Sequence, residues 1–313
     1  MAAHLKHVML KAVNYAQLLF PDFSLIFCGY LVCRYTALNR EVWQKVDSLV
    51  YFFLFPVLLF HSIVKSPLDL NAASNLIAAG VSMGLIAIVL SYSLPYLPVL
   101  GRHIDRKDHA GAVQVGFRFN SYMALALSER LAGPEGLLLM SVLIGMCVPI
   151  FNIAAVWPMA RHAKSNFWRE VVRNPLILAT ACGLLFNGLG LHIPVWLDPS
   201  VSRIGAASLA LGLMTAGAGM QLSSLKQGKV LTTALLSIRH CAVPLVAFLL
   251  VQAFHLSPQH ATILLIFSAL PTASSCYVLA ARMGYNGSYV AALVTLSTAL
   301  GMLSLPFALA VLR

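Results

Sequence analysis

The sequence predicts an all-α integral membrane protein: ten transmembrane helices forming two inverted five-helix repeats, with spans 4 and 9 broken. Three observations carry that expectation. The 313 residues are 59% hydrophobic and 10% charged, with a mean hydropathy of +0.83, whereas soluble domains carry roughly 25% charged residues. Ten apolar stretches reach the ~20 residues that a helix needs to cross a bilayer. A basic linker divides them five and five, and an odd number per half inverts one half relative to the other.

In chain order the spans are expected at 18–36, 46–65, 75–97, 110–131, 136–160, 174–194, 203–222, 230–254, 259–282 and 289–312. The first follows a polar start, "MAAHLKHVMLKAVNYAQ", with no clear cleavage site after it. Span 2 carries a mid-span proline, Pro56. Span 4 holds "GFRFNSYM", which puts Arg118 and Asn120 in apolar surroundings. Span 8 holds Arg239 and His240 in "LLSIRHCAVP". None of the stretches shows the alternation of barrel strands. Trp43, Trp157, Trp168 and Trp196 fall near span ends, where interfacial indoles sit. The expected divisions are a first repeat at 1–160, the linker "RHAKSNFWREVVRNP" at 161–175, and a second, inverted repeat at 176–313.

Charge sets the orientation. Loops after odd-numbered spans hold thirteen of the lysines and arginines, and the opposite side, with the termini, holds six. The positive-inside rule places the richer side in the cytoplasm and both termini outside. The expected location is a plasma membrane of the bacterial inner-membrane type. The net charge of +11 lies in these short loops, so no nucleic acid partner is expected. The six cysteines form no CxxC and read as buried apolar thiols; no metal site and no cofactor are expected.

The two halves correspond at specific places. Span 4, "VGFRFNSYMALALSERLAG", and span 9, "IFSALPTASSCYVLAARMG", each carry a mid-span interruption, Asn120 and Pro271. Thirteen residues later each has a terminal glycine, Gly133 and Gly284. The following spans each carry a late proline, Pro149 and Pro306. Interrupted spans at matching positions of inverted halves point to a transport site built from half-helices. Taken singly, Pro271 could mark a mere kink and Asn120 an interhelical hydrogen bond.

At these residues the sequence resembles the auxin efflux carrier family of membrane transporters, of the bile acid/arsenite/riboflavin transporter superfamily type. The likeness runs over nearly the whole chain. It includes "KVDSLVYFFLFPVLLFHSIV" for span 2, "FRFNSYMALALSERLAGPEGL" for span 4 and "SVLIGMCVPIFNIAAVW", with Pro149 and Asn152, for span 5. "NPLILATACGLLFNGLGLHIP" resembles span 6, and "SALPTASSCYVLAARMG" with "LSTALGMLSLP" resembles spans 9 and 10. The resemblance implies that spans 4 and 9 cross near the midplane, with a substrate site beside the crossover and elevator-like alternating access. It also implies small organic anions as substrates. The bulky Tyr122 and Met123 depart from the small residues that often follow the asparagine in that family.

The chemistry of a break agrees. Freed backbone groups are costly in hydrocarbon and persist where they line a polar cavity. Half-helices starting near Asn120 and Thr272 would point partial positive charge at one place and attract an anion. The candidate substrate-binding residues are Arg118, Asn120, Ser121, Pro271, Thr272, Ser274 and Ser275, with Asn120 and Pro271 at the helix breaks. Arg118, ~13 Å into its span, could supply positive charge to the site, snorkel, or cap carbonyls. Arg239 could pair with a carbonyl or face a cavity, and His61 could make an interfacial hydrogen bond or titrate. No carboxylate is expected mid-span, and Asp47 is assigned to the cytoplasmic side. A cation substrate is therefore disfavoured.

The partners expected are a small organic anion and the lipid bilayer; proton or sodium coupling and a homodimer stay open. The expected function is a secondary transporter or facilitator for a small organic anion such as a carboxylate. The alternative is a membrane receptor or sensor for a small carboxylate without net transport. No HExxH or GxSxG motif supports an enzyme, and no P-loop supports an ATP-driven pump.

Overall fold

A computed structural model describes residues 20–21, 23–65, 70–160, 175–220, 228–273 and 275–312. Among these residues the chain is helical and contains no strand. The helices are α1 (Phe23–Tyr35), α2 (Arg40–Leu49), α3 (Phe55–Lys65), α4 (Leu70–Ser93), α5 (Arg106–Ala112) and α6 (Ser121–Ala160). There follow α7 (Pro175–Gly188), α8 (Asp198–Ala218), α9 (Lys229–Ser237), α10 (Val243–Ala253), α11 (Pro258–Ala269), α12 (Ser275–Arg282) and α13 (Gly287–Leu312). A π-helical turn, Val50–Leu54, joins α2 to α3, and another, Ile238–Ala242, joins α9 to α10.

Local chemistry explains the boundaries. Asn39 caps α2, its side-chain oxygen accepting from the amides of Glu41 and Val42 at 3.1 and 3.2 Å. Asp105 caps α5 in the same way, at 2.8 Å to each amide. Ser257 caps α11, and Pro258 occupies its first position, where the missing N–H costs nothing. The sequence "AGPEG" turns the chain inside α6: Gly133 sits at φ 67°. Glycine enters this left-handed region without a Cβ clash, and Pro134 restarts the helix. Gly284 ends α12 with φ 79°. Both terminal glycines expected from the sequence thus have a positive φ, which glycine adopts readily.

Six segments are long and apolar enough to span a membrane: Arg40–Lys65, Ala73–Tyr96, Arg106–Met159, Asp198–Ala218, Lys229–Ala253 and Gly287–Ala310. The expected ten are not resolved as ten long helices, and the reasons are physical. Span 4 is divided between α5 and α6, and α6 continues through Gly133 into span 5. Span 9 is divided between α11 and α12, while α1 and α7 are short apolar helices among the described residues.

The helices pack in two groups. In the first, α3 lies along α7 and α8, and α2 along α8. Here α1 meets α8 backbone to backbone: a Cβ at Gly217 would collide with the Ile26 carbonyl. In the second, α4, α6, α10, α11 and α13 pack on one another, with α12 against α13. The groups meet where α3, α7 and α8 abut α6. Thr262–Leu270 and Tyr122–Ser128 are buried at every position, as expected for half-helices in the interior of a bundle. The outer face exposes Phe52, Leu185, Leu245, Leu249, Leu303 and Phe307, an apolar surface suited to lipid.

Two expectations need correction. Trp43 is buried rather than interfacial, because α2 turns that face toward α8; Trp157 and Trp196 are exposed. Cys28, Cys182 and Cys241 lie on the outer surface, and of the six thiols only Cys147 and Cys276 are buried. Asp22, Trp168 and nearly all of the linker lie outside the described residues.

Candidate functional site at the crossing of two helix breaks

The two interruptions meet. Residues 118–120 are non-helical between α5 and α6, and residues 270–273 are non-helical between α11 and α12. The Asn120 amide donates to the Pro271 carbonyl at 2.8 Å. A backbone donor freed by one break is therefore satisfied by an acceptor freed by the other, which removes part of the cost of both. The Asn120 side chain caps α6, its oxygen accepting from the amides of Tyr122 and Met123 at 3.0 and 3.1 Å. This fixes the carboxamide so that its nitrogen can face outward from the cap.

Beside this tie lies a cavity of about 80 Å³ lined by Arg118, Asn120, Ser121, Tyr122, Asn152 and Ser275, among others. That is room for several waters, each needing ~10–15 Å³ of such volume, or for a compact solute. Arg118 is half-buried at its edge. One guanidinium nitrogen donates to Gln114 Oε1 at 2.9 Å and another to Ser275 Oγ at 3.1 Å. Gln114 in turn donates to the Gly111 and Cys276 carbonyls. Arg118 is thus neither snorkelling nor capping its own half-helix; it is held across the gap against the first residue of α12. The N-termini of α6 and α12 and one guanidinium converge on the same space, an arrangement suited to an anion.

Not every expected residue lines this space. Arg118, Asn120, Ser121 and Ser275 do. Pro271 and Thr272 are buried behind it. The Thr272 hydroxyl donates to the Val115 carbonyl at 2.8 Å, and its amide donates to Ser297 Oγ at 2.9 Å. These two residues fix the crossover, because the backbone directs their polar groups at the neighbouring break and at α13. Ser274 lies outside the described residues.

Span 8 supports the crossover from the far side. Arg239 is only 2% exposed. It donates to the carbonyls of Leu270 at 2.6 Å, Ser268 at 3.0 Å and Phe267 at 3.1 Å, filling the acceptors at the end of α11. Of the two roles open to it in sequence, it takes the pairing with carbonyls. Its neighbour His240 bonds Ser304 Oγ at 2.8 Å and Ser297 Oγ at 2.9 Å. Far from the crossover, His61 bonds Asp198 Oδ1 at 2.8 Å and Lys65 bonds Oδ2 at 2.7 Å, joining α3 to the start of α8.

The sequence reading missed the contribution of the first helix group. Asp47, Tyr51 and Phe55 line the cavity from α2, the π-turn and α3. Asp47 approaches the hydroxyls of Tyr122 and Thr215. It also lines a second cavity of about 310 Å³ with Arg40, Trp43, Gln44, Ser48 and Tyr277. No carboxylate was expected among the site residues, yet Asp47 is one of those that line the cavity. The helix starts at Arg40, one and a half turns before the apolar run begins, and carries Asp47 inward with it. The signal was present: Asp47, Tyr51 and Phe55 are spaced by four, which places them on one helix face. The π-turn among them is a feature often found at functional sites.

Comparison with known proteins finds membrane transporters. The family model described as "Membrane transport protein" matches residues 157–309. A "Putative malonate transporter" of Rhizobium meliloti (strain 1021) is 22% identical over 303 residues, covering 91% of this chain and 92% of that protein. The "Uncharacterized transporter YfdV" of Escherichia coli (strain K12) is 20% identical over 286 residues, covering 84% and 87% respectively.

Proposed function

We propose, from the match of residues 157–309 to the membrane transport protein family and the similarity to proteins named as transporters, that this chain is a secondary carrier for a small organic anion. A carboxylate is the favoured class. The observation that carries this reading is the convergence of Arg118 and the N-termini of α6 and α12 on one cavity of about 80 Å³. The similarity to a protein named as a malonate transporter supports the same class.

The proposed architecture is ten spans in two inverted repeats within a bacterial inner membrane, with both termini outside. The matched breaks at Asn120 and Pro271 and the matched turns at Gly133 and Gly284 support it. The proposed mechanism is elevator-like. The group containing α6, α11, α12 and α13 carries the anion past the group containing α2, α3, α7 and α8. The cavity is walled by both groups, as such a mechanism needs: relative sliding would uncover the site on alternate sides without dismantling the crossover. Arg118, Asn120, Ser121 and Ser275 travel with the anion in this scheme, while Asp47, Tyr51 and Phe55 stay behind as the opposing wall.

Flux tests the function. Purified protein in proteoliposomes is expected to exchange radiolabelled malonate or another small mono- or dicarboxylate, with competition by carboxylates and not by amines. Saturable binding of carboxylates without flux in either direction would instead establish a receptor.

A further inference from the structure

We infer that binding of the anion is linked to uptake of one proton, held by Asp47 at the wall of the binding cavity. The inference rests on the anion-carrier reading above and adds to it the identity of a coupled ion and its residue.

The geometry sets up a conflict of charge. Asp47 lines the same cavity as Arg118, Asn120 and Ser275. An anion entering that space meets a carboxylate on the opposite wall, and two like charges sharing a small cavity disfavour joint ionisation. Among the described residues, no lysine or arginine forms an ion pair with Asp47. The groups around it come from several elements. Arg40 and Tyr51 are on its own span, and the Arg40 guanidinium donates to the Met220 carbonyl at 3.1 Å. Tyr122 on α6 and Thr215 on α8 approach it directly. Tyr277 on α12, with Cys33 on α1 near it, completes the surroundings, and Arg118, bound to Gln114 and Ser275, lines the same cavity. Among the described residues, Asp47 therefore has hydroxyl neighbours and no paired cation.

The Thr215 hydroxyl is already committed as a donor. Thr215 donates its single hydroxyl hydrogen to the Gly212 carbonyl at 2.9 Å, which leaves only lone pairs for Asp47. A hydroxyl has one donor and two acceptor sites, so the Asp47–Thr215 contact becomes a hydrogen bond when Asp47 supplies the hydrogen. A protonated Asp47 can also donate to an incoming carboxylate, turning the opposing wall from repulsive to attractive. The route for the proton is short, because Asp47 also lines the 310 Å³ cavity beside the anion site.

The binding equilibrium then consumes a proton, and affinity must rise as pH falls. The test uses malonate as probe and the purified full-length chain. Above about pH 7 both malonate carboxyls are ionised in water, being ordinary carboxylic acids, so any further pH dependence belongs to the complex. Titration calorimetry in buffers of different ionisation heat is expected to show about one proton taken up per malonate bound, with the dissociation constant rising about tenfold per pH unit. Asp47→Asn is expected to bind malonate with no proton uptake and a flat pH profile. Tyr122→Phe, which leaves the Asp47 carboxyl in place, is expected to retain the proton uptake. Malonate binding to the wild type without proton uptake would overturn the inference while leaving the carrier reading intact, as would undiminished uptake by Asp47→Asn. Failure of the wild type to bind malonate or any other small carboxylate at any pH would overturn both.

Discussion

The amide of Asn120 donates to the carbonyl of Pro271 at 2.8 Å, so two residues 151 positions apart in the chain are joined at the point where each interrupts its own helix. The bond is between main chains and therefore survives substitution of either side chain. What substitution changes is the cap on α6 and the lining of the cavity.

Asn120 can accordingly be separated into two roles. Asn120→Ala removes the cap and is expected to cost about 1 kcal/mol of stability, while abolishing carboxylate binding in a protein that remains folded. Asn120→Asp keeps an oxygen for the Tyr122 and Met123 amides but adds negative charge to an anion cavity. Its melting temperature should lie near that of wild type while binding is lost. Thermal unfolding alongside equilibrium binding on the same preparations checks both variants. Retained binding in Asn120→Ala would remove this side chain from the site.

Arg118 supplies charge and a fork with two partners, Gln114 and Ser275. Arg118→Ala is expected to weaken carboxylate affinity about tenfold or more, equivalent to about 1.4 kcal/mol. Arg118→Lys keeps the charge without the fork and should fall between Ala and wild type. A dissociation constant for each variant settles the ordering, and unchanged affinity in both would exclude Arg118 from anion binding.

Arg239 acts on folding rather than on the anion. Its guanidinium satisfies three carbonyls at the end of α11 in a fully buried setting. Arg239→Met would leave those carbonyls without donors, at a cost of about 1–3 kcal/mol for each buried group left unsatisfied. The expected outcome is loss of monodisperse protein on size exclusion, or a melting temperature lowered by many degrees.

The two helix groups are each held by close packing, and Gly217 is where this is tightest in the first group. Gly217→Val would push a side chain into the Ile26 carbonyl. The expected cost is at least the ~1–3 kcal/mol typical of an overpacked core, read as a lowered melting temperature with little change in anion affinity.

The proposed orientation is checked by labelling. In a cysteine-free background, His192→Cys should react with an impermeant maleimide in intact cells, and Arg102→Cys only after permeabilisation. Both positions are exposed. The reverse pattern would invert the topology.

The sequence by itself determined what depends on local pattern. Apolar composition required a bilayer. "AGPEG" required a turn, and Asn120 and Pro271 announced interruptions, because proline, glycine and capping asparagine act within a few residues of themselves. It also singled out Arg118 and Ser275, which stand out chemically in apolar runs. Only the tertiary structure decided which polar groups share a space. Thr272 and Ser275, three residues apart, take different partners: Thr272 bonds the Val115 carbonyl and Ser297, while Ser275 meets Arg118 at the cavity. Arg239 spends its charge on carbonyls about thirty residues ahead. Asp47, at the edge of its expected span, was assigned only to the cytoplasmic side; the packing of the helix that begins at Arg40 brings it to the same cavity as Arg118. Such pairings are set by how helices pack across the bundle, through contacts between residues far apart in the chain, and no local rule encodes them.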